Sequence, residues 1–148
     1  MFKHILVPLD GSGLSLKAGR RAIDLAKREK SRLSAMMACP TYQHLADKGY
    51  PPPVLKANRK GWENDMAERA RGILEQFAAE AEQSGVTCAT VVVVDDPPHH
   101  AIVETAREND CDLIVMGSHG HGGVKQFILG SQTSGVLSHS KIPVLVYR

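Results

Sequence analysis

Cysteine is scarce and poorly placed for cross-linking: the chain has three, Cys39, Cys88 and Cys111, at wide spacings and with no C-x-x-C pair. Neither a disulfide framework nor a standard zinc site is indicated, and the thiols are expected to be reduced, mostly buried small apolar groups. Long hydrophobic runs are missing as well. The longest, such as Ile5 to Leu9 and Val91 to Val94, fall far short of the roughly 20 residues that cross a bilayer, so no membrane segment is expected. Lys3 and His4 precede only five uncharged residues before Asp10, too few for a signal-peptide core, which makes the cytoplasm the expected location. Nor is either charge in excess, since 18 Lys and Arg against 16 Asp and Glu leave a formal +2. That is too balanced for the broad positive field of a nucleic-acid binder. Internal repeats and low-complexity tracts are absent.

What is present fits one soluble globular domain over residues 1–148, with 43% hydrophobic and 23% charged residues. A chain of this length can bury roughly 68–70% of its unfolded surface. Two hydrophobic patterns alternate along it. Lys3 to Leu9, Leu33 to Cys39, Thr90 to Val94, Leu113 to Met116 and Pro143 to Tyr147 read as strands buried on both faces, as a helix-covered parallel sheet requires. Between them run segments of helical period. Leu14, Ala18, Ala22, Leu25 and Ala26 mark one helix face, and Trp62, Met66, Ala70, Ile73, Phe77 and Ala81 mark the clearest helix. His99 to Asn109, with Ile102, Val103 and Ala106 inward, and Ser131 to His139 complete the set. Strand-helix alternation with right-handed crossovers predicts an α/β fold: an open, five-stranded, doubly wound parallel sheet with about four helices. Pro40 to Gly61, which holds Pro51-Pro52-Pro53, is an irregular excursion, read equally well as a surface insertion or as a flap over the carboxyl end of the sheet.

The most informative segment follows the fourth strand. Met116-Gly117-Ser118-His119-Gly120-His121-Gly122-Gly123-Val124-Lys125, then Gly130-Ser131 opening the last helix, places five glycines within fourteen residues. Glycines let main-chain N–H groups converge on an anion, and a helix N-terminus adds donors and a positive dipole end. In a doubly wound sheet, ligands bind beyond the carboxyl ends of the strands where the winding reverses, here between the first and fourth strands. Those strands end in Asp10 and in this loop, a carboxylate suited to ribose hydroxyls facing amides suited to phosphates. Two standard motifs fail. Gly11-Ser12-Gly13 continues with Leu16 where a dinucleotide fingerprint needs a third glycine, and no P-loop is present.

The spacing Gly117-x2-Gly120-x9-Gly130-Ser131 resembles the nucleotide-binding signature G-x2-G-x9-G-[ST] of the universal stress protein family. Ile5-Leu6-Val7-Pro8-Leu9-Asp10-Gly11-Ser12 is similar to that family's first strand and P-x-D turn, and Ile142-Pro143-Val144-Leu145-Val146 to its last strand. The resemblance covers essentially the whole chain. It implies an adenine nucleotide alpha hydrolase-like fold with strand order 3-2-1-4-5, and ATP as cofactor, alone or with Mg2+. It further implies that Asp10 contacts the adenosine part and a main-chain group of Ala38 the adenine. Gly117, Gly120, Gly130 and Ser131 would hold ribose and phosphates, and Gln132 would offer its backbone amide. It implies a homodimer through the C-terminal strand, whose apolar edge at Val144, Leu145 and Val146 invites pairing. The sequence departs from the family at Asp95-Asp96-Pro97-Pro98, where members commonly carry a glycine before a proline; this bears on the far wall of the pocket.

Other residues divide between ordinary and functional readings. His119, His121 and Lys125 can face water or a γ-phosphate, and the His99-His100 pair most simply opens the third helix. Ser12 is expected to cap the first helix, and the basic stretch Arg20 to Arg32, interrupted by Asp24 and Glu29, to be a solvated face. No pattern identifies a base or metal for hydrolysis, so no catalytic residue is named. A nucleotide-dependent stress-response switch, an interaction module of the same fold without nucleotide, and a slow ATP hydrolase all remain open. On the amide-cradle reading, Gly117→Val or Gly130→Val blocks phosphates and leaves the sheet folded.

Overall fold

The computed structural model describes residues 1–47, 49, 59–95, 97–120 and 129–148. The elements run β1 (His4–Pro8), α1 (Gly13–Glu29), β2 (Arg32–Cys39), α2 (Tyr42–Asp47), α3 (Arg59–Gln83), β3 (Cys88–Val94), α4 (Pro98–Glu108), β4 (Leu113–Gly117), α5 (Ser131–His139) and β5 (Val144–Tyr147). All pairings are parallel and the sheet order is β3-β2-β1-β4-β5, the predicted doubly wound arrangement.

Alternation along the central strands builds two cores, one on each side of the sheet. Ile5, Val7, Leu33, Ala35, Leu113 and Val115 pack with Ala22, Ala26, Leu74 and Phe77 of α1 and α3. Leu6, Met36, Ile114 and Met116 pack with Ala101, Ile102, Ala106 and Val136 of α4 and α5. α1 carries Ala18, Ala22 and Ala26 inward as its pattern predicts, with Ile23 added. It begins at Ser12, whose hydroxyl accepts the Ser15 N–H at 3.2 Å, the expected cap. It stops at Lys30, whose left-handed backbone turns the chain so that the Ser31 N–H also reaches the Ala26 carbonyl, at 2.9 Å. Where β4 begins, Asp112 fastens the neighbouring strand, its carboxylate accepting the N–H groups of Lys3 and His4 at 2.8 and 3.0 Å.

Two expectations change. Only the central strands are buried on both faces. β3 and β5 are sheet edges, and Val94 and Leu145 are each 42% exposed, because a strand with a single neighbour lacks the second strand whose side chains would complete its cover. The helices number five among the described residues, since α2 folds inside the Pro40 to Gly61 excursion and α3 starts at Arg59. α2 is held by Tyr42, whose ring meets Trp62 edge-on with centroids 6.2 Å apart, a local aromatic contact that leaves no periodic trace in the sequence. Pro51-Pro52-Pro53 lies outside the described residues. Of the cysteines, Cys39 and Cys111 are buried and Cys88, on the edge strand, is half-buried; all three are free.

One feature of the register opens the site. β1 and β2 stay paired to Pro8 and Met36, whereas β1 and β4 pair only at Ile5 with Leu113 and Leu6 with Ile114. The two central strands therefore part toward their carboxyl ends.

Candidate functional site

At that parting β1 runs into a short turn. The Leu9 N–H donates to the Met36 carbonyl at 2.8 Å, and the paired register ends beside that bond. In a parallel strand the main-chain groups of alternate residues point the same way. Ala38 is two beyond Met36, so its N–H and C=O turn to the β1 side, past the end of β1. Asp10 follows, its Oδ1 accepting the Ser12 N–H at 2.8 Å and its own N–H donating to Ser15 Oγ at 3.3 Å. Gly11, at φ 81°, makes the turn possible between them.

β4 delivers the other wall. Its ladder with β5 extends through the Ser118 N–H to the Tyr147 carbonyl at 2.8 Å, after which the chain leaves the sheet. The stem of the loop is closed by two bonds: the Gly130 N–H donates to the Ser118 carbonyl at 2.8 Å, and the buried Thr133 hydroxyl to the Gly117 carbonyl at 2.9 Å. These bring Gly117 and Gly120 beside Gly130 and the first turn of α5. A Cβ at Gly120 would lie 2.0 Å from Asp10 Oδ2, so the glycine loop and the β1 carboxylate are in direct apposition. Gly130 is the N-cap of α5 and supplies no side-chain acceptor, unlike Ser12 on α1, and no acidic residue stands in that first turn. The leading amides of α5 thus lack a side-chain cap, as a helix end that receives an anion does.

Asp10, Ala38, Gly117, Gly120, Gly130, Ser131 and Gln132 therefore all lie at the carboxyl end of the sheet, around the gap between β1 and β4. Two glycines, however, also serve the protein's own packing. A Cβ at Gly117 would meet Leu14 Cγ at 3.3 Å, and one at Gly130 would meet His119 Cα at 3.1 Å. Valine at either position would press on α1 or on the loop itself, so those substitutions do not isolate a ligand's contribution. His119 turns its Nδ1 to Ser118 Oγ at 3.1 Å. His121, Gly122, Gly123, Val124, Lys125 and Asp96 lie outside the described residues. Among the described residues no three His, Cys, Asp or Glu side chains gather as a metal site.

Sequence reasoning missed Ser15 and Thr133, the buried polar residues that steady Asp10 and Gly117. The available signal was a hydroxyl on an otherwise apolar helix face. It also missed the Gln132 side chain, whose Oε1 accepts the His99 N–H of α4 at 2.9 Å. The departure at Asp95 to Pro98 resolves into the entry to α4: Pro97 is its N-cap, Pro98 its first residue, and Asp95 meets His100 Nδ1 at 3.0 Å.

A doubly wound five-stranded parallel sheet with a glycine-lined gap at its switch point places the chain among the open-sheet α/β domains, whose ligands bind at such gaps. The sequence pattern of the universal stress protein family matches residues 1–148, and the chain belongs to that family. It is 34% identical to universal stress protein YxiE of Bacillus subtilis, with all of both chains covered. Among solved structures it superposes on universal stress protein UspA of Lactobacillus plantarum with a TM-score of 0.83 and 26% identity, over 99% of this chain and 97% of that one. A universal stress protein in complex with cAMP gives a TM-score of 0.70 and 26% identity, over 99% and 97%. No helix among the described residues is long and apolar enough to cross a membrane.

Proposed function

We propose that this universal stress protein binds an adenine nucleotide, ATP, in the gap between β1 and β4, and acts as a nucleotide-dependent stress-response switch. The observation that carries the reading is the apposition of Gly120 to Asp10 beside an α5 N-terminus with no side-chain cap. The adenine edge would meet the main chain of Ala38, Asp10 would accept from the ribose hydroxyls, and the amides around Gly117, Gly120, Gly130, Ser131 and Gln132 would take the phosphates. The cAMP complex of a relative supports an adenine ligand for the fold. The first turn of α5 fits such a group, since helix-end amides without a side-chain cap hold an anion without a cluster of lysines. The proposal extends to a cytoplasmic homodimer joined through β5.

One observation favours a second reading, an interaction module without nucleotide: Gly117, Gly120 and Gly130 each abut atoms of the protein itself, so internal packing alone accounts for them. Denaturing purified protein and analysing the released small molecules separates the two. Released adenine nucleotide, or a thermal shift with ATP in the presence or absence of Mg2+, supports the first. An empty extract with no shift under either condition overturns it.

A further inference from the structure

α4 begins with an uncommon set of donors. Pro98 has no N–H, the His100 N–H returns to the Pro97 carbonyl at 3.0 Å, and Pro97 contributes no side-chain cap. The remaining early donor, the His99 N–H, is taken by Gln132 Oε1 at 2.9 Å, an acceptor supplied from the first turn of α5. The same face of α5 grips His99 twice more. Gly135 leaves room for the imidazole, whose Cγ would lie 2.4 Å from a Cβ there, and His139 stacks on it with ring centroids 5.2 Å apart. His139 is itself anchored through Nδ1 to the Gly135 carbonyl at 2.8 Å.

We infer that Gln132 is a positioning residue for the nucleotide site: its side chain locks the first turn of α5 to α4, and so fixes the direction in which the α5 amides face the phosphates. The inference rests on the nucleotide reading above and adds to it a residue acting through α4. The geometry is two-sided. The main chain of Gln132 belongs to the phosphate-facing turn, while its side chain points to α4. The first turn of α5 is tied to β4 by the Gly130 N–H on the Ser118 carbonyl and the Thr133 hydroxyl on the Gly117 carbonyl, and the Gln132 bond ties that same turn to α4. A ligand that orders this turn should therefore also order the start of α4.

The test is Gln132→Met, which keeps side-chain length and removes the acceptor. Calorimetry with ATP and with adenosine, on wild type and variant, reads the role directly. ATP affinity is expected to fall roughly three- to tenfold, the range one ordinary hydrogen bond supplies, while adenosine, which lacks phosphates, stays within about twofold. Amide hydrogen exchange should show ATP protecting residues 99–102 in the wild type and not in the variant. Equal losses for ATP and adenosine would mark a general loosening and overturn the inference, as would unchanged ATP affinity. A wild type that binds neither compound removes the nucleotide reading itself, and the positioning role with it.

Discussion

Asp10 and Gly120 occupy each other's space: the Asp10 carboxylate lies where a side chain at 120 would begin, 2.0 Å from its Cβ. Because Oδ1 of the same carboxylate accepts the Ser12 N–H, Gly120→Ala must push Asp10 off that bond. A loss of about 1 kcal/mol is expected, one hydrogen bond's net worth. The double variant with Asp10→Ala should be no less stable than Asp10→Ala alone, since the collision is gone; urea denaturation of all four proteins measures the coupling. Gly120→Ala should also weaken ATP binding more than Asp10→Asn, which keeps an acceptor at the same place. Full additivity in the cycle would show that the two residues do not compete.

His4 predicts a pH dependence at the opposite end of the sheet. It is buried, donates from Nδ1 to the Asn109 carbonyl at 2.9 Å and accepts at Nε2 from Ser34 Oγ at 2.8 Å. Burial pushes its pKa below the ordinary histidine value and the Arg32 charge adds to this, against the Asn109 bond and the carboxylates of Asp112 and Asp110. The folded protein therefore prefers the neutral ring. Its contribution is complete above about pH 6.5 and is lost as pH falls below that toward the depressed folded value. Urea midpoints between about pH 7.5 and 5.5 should decline in the wild type and decline less in His4→Gln. Parallel declines would assign the effect to other groups.

The elements legible in the sequence were those whose identity is set by periodic burial: the central strands, α1, α3, α4 and α5, the last bounded by Gly130 and Ser140 as its residues suggest. The switch point followed from topology, and the sheet order made Asp10 and the glycine loop neighbours. The apolar edge of the last strand was expected; exposure at Val94 of β3 was illegible, because a strand's own residues do not say what covers them. So was the second use of the glycines. A glycine reports that space is tight, but not whether Leu14, Asp10 or a ligand fills it. Likewise Gln132 was expected to act only through its backbone amide, and its side chain's part emerges once α4 is seen to lack a side-chain cap of its own.

β5 offers its outer edge with Leu145 exposed between the half-buried Val144 and Val146. Pairing with a second copy would cover that edge in a closed dimer. Leu145→Lys places a charge on the contact and should convert dimer to monomer in sedimentation velocity without altering the far-ultraviolet spectrum. A wild type that sediments as a monomer across the concentration range removes the β5 dimer.

Two glycines inside helices make opposite predictions for the same substitution. Gly19 of α1 faces α3, and a Cβ there would lie 2.6 Å from Cε2 of the buried Phe77 and 3.3 Å from Leu9 Cδ2. Gly72 of α3 has nothing within 4 Å of its Cβ position. Alanine improves helix propensity by about 1 kcal/mol at either place. At Gly72 that gain stands alone, so Gly72→Ala should stabilise by roughly 0.5–1 kcal/mol. At Gly19 it is set against the roughly 1–3 kcal/mol that overpacking costs, because Phe77 is enclosed and cannot withdraw without displacing its neighbours. Gly19→Ala should therefore be net destabilising, by about 1 kcal/mol, in urea titrations with an unchanged m-value. If it stabilised as Gly72→Ala does, α1 and α3 would have to separate at this point more easily than close packing allows.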